Sequence, residues 1–191
     1  MIIPLSDYTI GATVASDLVN TSPTVRVTTG DALPDAAALR RFLAERGVRL
    51  DAPPPTDDDL RLVHMLRMQI RVILETETEE HAIAGSTVLI KRAGLAPVLH
   101  RDDDGRWQWH LPTAPGAPLA DELAALVGVG LAGVVRTLGR ERFRTCAAPG
   151  CRGVFVDTSR AGKRRYCMPE RCGNRVNVAR HRARRLGSVA R

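Results

Sequence analysis

The chain has 191 residues, of which 44% are hydrophobic and 26% charged, enough to bury one real core and to carry a small appended module. Its first residues, MIIPLSDYTI, lack the charged region and long apolar run of a signal peptide, and nowhere do about 18 apolar residues follow one another, so secreted and membrane-spanning classes are excluded and a cytoplasmic protein is expected. The net charge of +7 is unevenly spread: residues 136–191 hold 16 Lys and Arg against Glu141, Asp157 and Glu170, which leaves 12 bases against 18 acids in the rest.

From the amino terminus, Tyr8 to Thr21 combines a β-branched stretch with ASDLVNT, a pattern that does not decide between helix and strand. Asp17, Asn20 and Thr21 within it are candidate ligand-binding residues, helix capping and core hydrogen bonding being the alternative. PDAAALRRFLAERG predicts an amphipathic helix over Pro34–Glu45 that buries Ala38, Leu39, Phe42 and Leu43 and stops at Gly47. After the rigid APPPT, Thr56 is placed to cap a long helix whose first turn carries Asp57, Asp58 and Asp59. Its predicted apolar stripe is Leu60, Val63, Leu66, Met68, Ile70 and Leu74. His64 on the same helix reads as structural. A further helical stretch runs from Glu79 to Arg92 and ends at Gly94.

LAPVLHR and RWQWHL flank Asp104-Gly105, a hairpin signal. Trp107, Trp109 and His110 on its second strand are expected to pack against a core, with a ligand pocket as the alternative. PTAPGAP then leads into a last helix from Leu119 to about Leu138. Gly128, Gly130 and Gly133 fit a dinucleotide fingerprint in spacing, but no strand precedes them and Gly153 stands where an acid should follow, so close helix packing is the expected use. No GxSxG, HExxH or Walker pattern occurs, and no enzymatic activity is expected.

All four cysteines lie within 27 residues, as Cys146-x4-Cys151, 15 intervening residues, and Cys167-x4-Cys172. Two close pairs supply four soft ligands at tetrahedral corners, and a reducing compartment disfavours disulfides, so structural Zn²⁺ is the expected cofactor. Two disulfides, an iron–sulfur cluster and four unrelated thiols are the alternatives. Ala147 to Gly150 suit a knuckle, and GVFVDTSR followed by AGKRRY predicts a β-hairpin carrying the chain from one ligand pair to the other. A module this small needs its metal to fold, so chelation is expected to melt residues 144–185 and spare the helical body. Four thiolates fill the coordination shell and leave no position for a catalytic water.

Beyond Cys172, GNRVNVARHRARRLG reads as a helix with Val176, Ala179, Ala183 and Leu186 on one stripe. Asn174, Arg175, Asn177, Arg180, His181, Arg182, Arg184 and Arg185 on it, with Lys163, Arg164 and Arg165 from the preceding loop, are the candidate DNA-binding residues. Arg171 and the Lys163–Arg165 run also offset the formal charge of about −2 on a zinc–tetrathiolate centre. Aromatic residues are only 4% of the chain, too few for single-strand stacking platforms, so duplex DNA is the expected partner. A solubilising basic tail is the plainer alternative.

The stretch from Arg144 to Arg185 resembles the CGNR zinc finger, named for the residues that stand here as Cys172, Gly173, Asn174 and Arg175. FVDTSR and RRYC also match, with Tyr166 where Trp is more usual. In that family the finger follows an amino-terminal ABATE domain, and DLVNT at Asp17–Thr21 resembles its early LDxxNT motif, with Ser16 where Leu is commoner. DAAALRRFLAERG resembles its next helix. The resemblance implies a bacterial transcription regulator with a DNA-binding finger and a body that senses a small-molecule effector or stress; apart from the resemblance, the helical body is expected to supply homodimerisation, effector sensing, or both.

The expected fold is therefore α+β. Residues 1–141 form a mainly helical domain with a β-hairpin, and residues 142–191 a treble-clef-like finger of knuckle, hairpin and basic helix. An RNA-binding or protein-interaction adaptor with a structural finger is the alternative function.

Overall fold

The protein was described from a computed structural model covering residues 1–102 and 104–178. The chain enters through a three-residue strand, β1 (Ile2–Pro4), and helix α1 (Thr9–Val19). At its start the Asp7 carboxylate accepts from the Thr9 N–H at 2.8 Å, but the β-branched residues of α1 are weak helix formers. Burial stabilises it instead: Gly11, Ala12, Val14, Ala15, Ser16, Leu18 and Val19 all face the interior.

Helix α2 (Ala36–Glu45) starts at Asp35, whose carboxylate accepts from the Ala38 N–H at 2.7 Å, and it buries Ala38, Leu39, Phe42 and Leu43 as expected. Helix α3 (Asp57–Glu75) opens with a reciprocal box in which Thr56 Oγ1 accepts from the Asp59 N–H and the Asp59 carboxylate accepts from the Thr56 N–H. Leu60, Val63, Leu66, Ile70 and Leu74 face the core. Met68 does not. It is 69% exposed, because Arg67 and Ile73 complete the buried arc and Met68 falls on the outer side with Leu62, Met65 and Val72.

Helix α4 (Glu79–Ile90), capped by Thr78, precedes the hairpin of β2 (Val98–Arg101) and β3 (Trp107–Pro112). β1 pairs with the other edge of β3, giving an antiparallel sheet of order β1-β3-β2. The expected packing of the tryptophans against a core is not found: Trp107 and Trp109 are 58% and 54% exposed, and His110 is half-buried. Only the end of the sheet holding Ile3 and Leu111 meets the helices, and the rest of the hairpin runs past them.

Helix α5 (Leu119–Leu138) is buried along most of its length. Its glycines serve close packing. A Cβ on Gly130 would fall onto the backbone of Gly11 and Ala12 in α1, and one on Gly128 would lie 2.7 Å from the Ser86 carbonyl oxygen in α4. Near its start the buried Glu122 carboxylate accepts from the Asp51 and Ala52 N–H groups at 2.8 and 3.0 Å and from Thr113 Oγ1 at 2.7 Å, tying the α2–α3 connection to the end of β3.

A tight turn, Arg140–Arg142, leads into β4 (Phe143–Thr145), which pairs antiparallel with β5 (Val154–Val156). This hairpin brackets the first cysteine pair. It does not link the two pairs as the sequence pattern predicts, because residues 157–166 are organised around the Asp157 carboxylate and not by a strand ladder. A wide turn over Pro169–Gly173 continues into helical residues 174–178. The predicted continuation of that helix lies outside the described residues.

Candidate metal centre and nucleic-acid interface

The finger is built onto the body by a side chain of α1 and that of its carboxyl-terminal cap, one turn apart. Ser16 Oγ accepts from the Val156 N–H at 2.8 Å, and Asn20 Nδ2 donates to the Val154 carbonyl at 2.7 Å. Both groups of β5 thus find partners in α1 and its cap along the edge not used by β4. Strand alternation then divides β5 between two interiors: Val154 and Val156 join the body's core, while Phe155 turns to the cysteines.

The first knuckle closes through Cys146 N–H to Gly153 O at 2.8 Å and Cys151 N–H to Ala148 O at 3.0 Å. Gly150 adopts φ +70, and a Cβ on Gly153 would strike Cys167 Sγ and lie 2.8 Å from Asn20 Oδ1, so both positions require glycine. The second pair sits where the wide turn begins, with Cys172 N–H donating to Met168 O at 2.8 Å. Ala147 N–H to Arg165 O at 2.8 Å clips one half of the finger to the other.

The four sulfurs, those of Cys146, Cys151, Cys167 and Cys172, lie within 4.8 Å of one another. Cys151 is 3.7 Å from both Cys167 and Cys172, and Cys167 is 3.8 Å from Cys172. A zinc–sulfur bond of about 2.3 Å at tetrahedral corners puts sulfurs about 3.8 Å apart, whereas a disulfide would bring them to about 2.0 Å. The donor set needs a dication on electrostatic grounds as well. Burial, and then the charges of its neighbours, push the Cys167 thiol far up, and burial with the Cys151 contact pushes Cys172 up to about 11. At Cys146 burial opposes the thiolate, but the Ala148 and Cys167 N–H groups outweigh burial and hold the thiol below its ordinary value, so the sulfurs are unlike without an ion; a dication at their centre relieves the charge at Cys167 and Cys172, and the residues present fit Zn²⁺.

Asp157, fully buried, organises the loop between the pairs. Its Oδ1 accepts from Ser159 N–H and Oγ, and its Oδ2 from the Arg164 N–H at 2.9 Å and the Arg144 guanidinium at 3.2 Å. Burial opposes its charge, but the Ser159 and Arg164 hydrogen bonds and the Arg144 charge outweigh burial and hold the carboxyl below its usual range.

Of the predicted DNA-binding residues, Lys163, Arg165, Asn174, Arg175 and Asn177 are exposed around this centre. Arg164 is turned inward: its guanidinium donates to the carbonyls of Tyr166 and Cys167 and lies 4.6 Å over the Phe155 ring. Arg180, His181, Arg182, Arg184 and Arg185 lie outside the described residues.

Asp17, Asn20 and Thr21 are brought together on the wall of one hollow of about 280 Å³ between α1, α2 and Met168 of the finger. Asp17 pairs with Arg46 at 2.9 Å, Asn20 is engaged with β5, and Thr21 accepts from Arg67 at 3.1 Å. Sequence reasoning missed the clasp made by Ser16 and Asn20. Its one available signal was two hydrogen-bonding residues at i, i+4 on an otherwise apolar helix face.

Among the described residues no helix is long and apolar enough to cross a membrane. Residues 12–130 match the ABATE family, described as a putative stress-induced transcription regulator, and residues 142–185 match the CGNR zinc finger. No curated protein gives a significant match. The ABATE match spans well over half of the chain and the tetrathiolate centre stands in the finger behind it, so the protein belongs to the ABATE family and carries a carboxyl-terminal CGNR zinc finger.

Proposed function

We propose that the protein is a transcription regulator that binds duplex DNA through its zinc-held finger, residues 142–191, under the control of its body, residues 1–141. The observation that carries this reading is the set of exposed cations and amides, Lys163, Arg165, Asn174, Arg175 and Asn177, on a scaffold fixed by metal and leading into the Arg-rich end of the chain. The metal is structural in this reading, and the arginines contribute affinity through phosphates before any base preference. The hollow lined by Asp17, Asn20 and Thr21 is the effector site. Met168 follows the ligand Cys167 and lines that hollow, so an occupant would touch the finger directly.

The test is fluorescence anisotropy of the full zinc-loaded chain on a labelled duplex, with unlabelled duplex, RNA of the same sequence and an acidic protein as competitors. Arg175→Ala, and Arg180→Ala with Arg182→Ala, are expected to weaken binding and to lower the slope of log K against log salt by about one unit per lost phosphate contact. Preferential displacement by RNA or by the acidic protein would favour an adaptor instead.

A further inference from the structure

The connection between α1 and α2 is a loop closed at its neck. The Ala32 N–H donates to the Thr21 carbonyl at 3.0 Å, and Arg67 makes a two-pronged pair with Asp31 at 2.9 and 2.8 Å while also donating to Thr21 Oγ1. The loop is therefore held in place at its base and presents its tip, with Arg26, against the finger. There Arg26, Thr28 and Thr29 of the loop, with Arg171, Arg175 and Met168 of the finger, line a second hollow of about 270 Å³.

Among the described residues no carboxylate lines this hollow. Among the described residues Arg26, Arg171 and Arg175 make no ion pair, and the buried Nε of Arg26 has no hydrogen-bond partner. Burial, and then the Arg171 charge, hold the Arg26 guanidinium below its ordinary pKa, with the Asp31 charge only partly offsetting them. Cys151 and Cys172 also reach this wall, but three guanidiniums exceed the formal charge of about −2 on a zinc tetrathiolate. The excess and two threonine hydroxyls suit a tetrahedral oxyanion.

We propose that Arg26, with Arg171 and Arg175, forms a phosphate-binding hollow that extends the DNA surface of the finger onto the ABATE body. The inference rests on the DNA-binding reading above. The phosphate belongs to the duplex backbone, because the hollow adjoins Asn174 and Arg175 at the start of helical residues 174–178. The body thereby contributes affinity itself, and the loop between α1 and α2 becomes part of the interface.

The test uses the full zinc-loaded chain and a labelled duplex of arbitrary sequence over a salt series. Arg26→Ala is expected to weaken binding and reduce the salt slope by about one unit, while Arg26→Lys restores most of the slope because the charge is kept. Arg171→Ala in the Arg26→Ala background should add less than it does alone, since both grip one phosphate. Zinc content and melting temperature serve as controls, with Arg26→Gln replacing Arg26→Ala if the latter does not fold. An unchanged slope in a folded Arg26 variant, with the wild type binding duplex, overturns the hollow and leaves the finger reading intact. A wild type that binds no duplex overturns both. Lowered zinc retention with an unmoved slope assigns the arginines to the thiolate charge, and loss of inorganic phosphate binding alone assigns the hollow to a free anion; either result overturns the proposal.

Discussion

Asp31 is a single carboxylate on which the placement of the α1–α2 loop depends. Arg67 is almost fully buried, and a buried guanidinium without a counter-charge is costly, so the two-pronged pair is needed on both sides. Burial of Asp31 opposes its charge, but the Arg67 hydrogen bonds, the Leu33 N–H and the Arg67 charge outweigh burial and hold the carboxyl below its usual range. A depressed folded value means that the contribution is whole above the unfolded value of about 3.9 and is lost as pH falls through the lower folded one. Asp31→Asn is therefore expected to cost about 1–3 kcal/mol at neutral pH, and the gap to wild type should close below about pH 4. Urea unfolding followed by circular dichroism at several pH values measures this, and a gap constant from neutral pH to pH 3 would show that packing alone is responsible. Asp157 has the same sign, but acid also protonates the zinc thiolates beside it, which makes Asp31 the cleaner probe.

Between elements, the crossing of α1 on α5 is set by glycine. In an exposed helix, Gly→Ala stabilises by about 1 kcal/mol. At Gly130 the added carbon meets the backbone of Gly11 and Ala12, which cannot rotate away as a side chain could. Gly130→Ala should therefore lower the melting temperature, and a rise would mean that the helices separate without loss. This crossing also accounts for what the sequence could and could not convey. Helices α2, α3 and α5 were legible because caps such as Asp35 and Thr56 and the 3.6-residue period are local signals. α1 was not, because its helicity comes from burial against α5, a contact more than a hundred positions away. β1 was too short to read and depends on β3 at the far end of the body. The four cysteines were legible because metal chemistry restricts their spacing. The outward tryptophans were not, since strand alternation marks a face without saying how far the body beneath it extends.

For the whole molecule, β5 is the wall between two interiors, and that alters what zinc removal should do. Val154 and Val156 pack with Phe143 in the body's core, while Phe155 closes the cluster of Cys146, Ala148, Cys167 and Cys172. If the metal leaves, the thiolate side of this wall loses its organising centre, and Phe155, now fully buried, faces solvent. The strand would then be held from the body side alone, by Val154 and Val156, the Ser16 and Asn20 clasps and the short pairing with β4. Chelation should thus weaken the body too, contrary to the independent melting that the cysteine module suggests when read alone. Zinc at about a thousand-fold excess over its dissociation constant stabilises the chain that binds it by about 4 kcal/mol, which for a chain of this size is about 10 °C. Calorimetry should accordingly show one transition in the zinc-loaded protein, displaced downward by about that amount with chelator. Two separate transitions, or a body transition that chelation leaves in place, would mean that β5 does not couple the two interiors and that an effector bound in the body would reach the finger through Met168 and Arg26 instead.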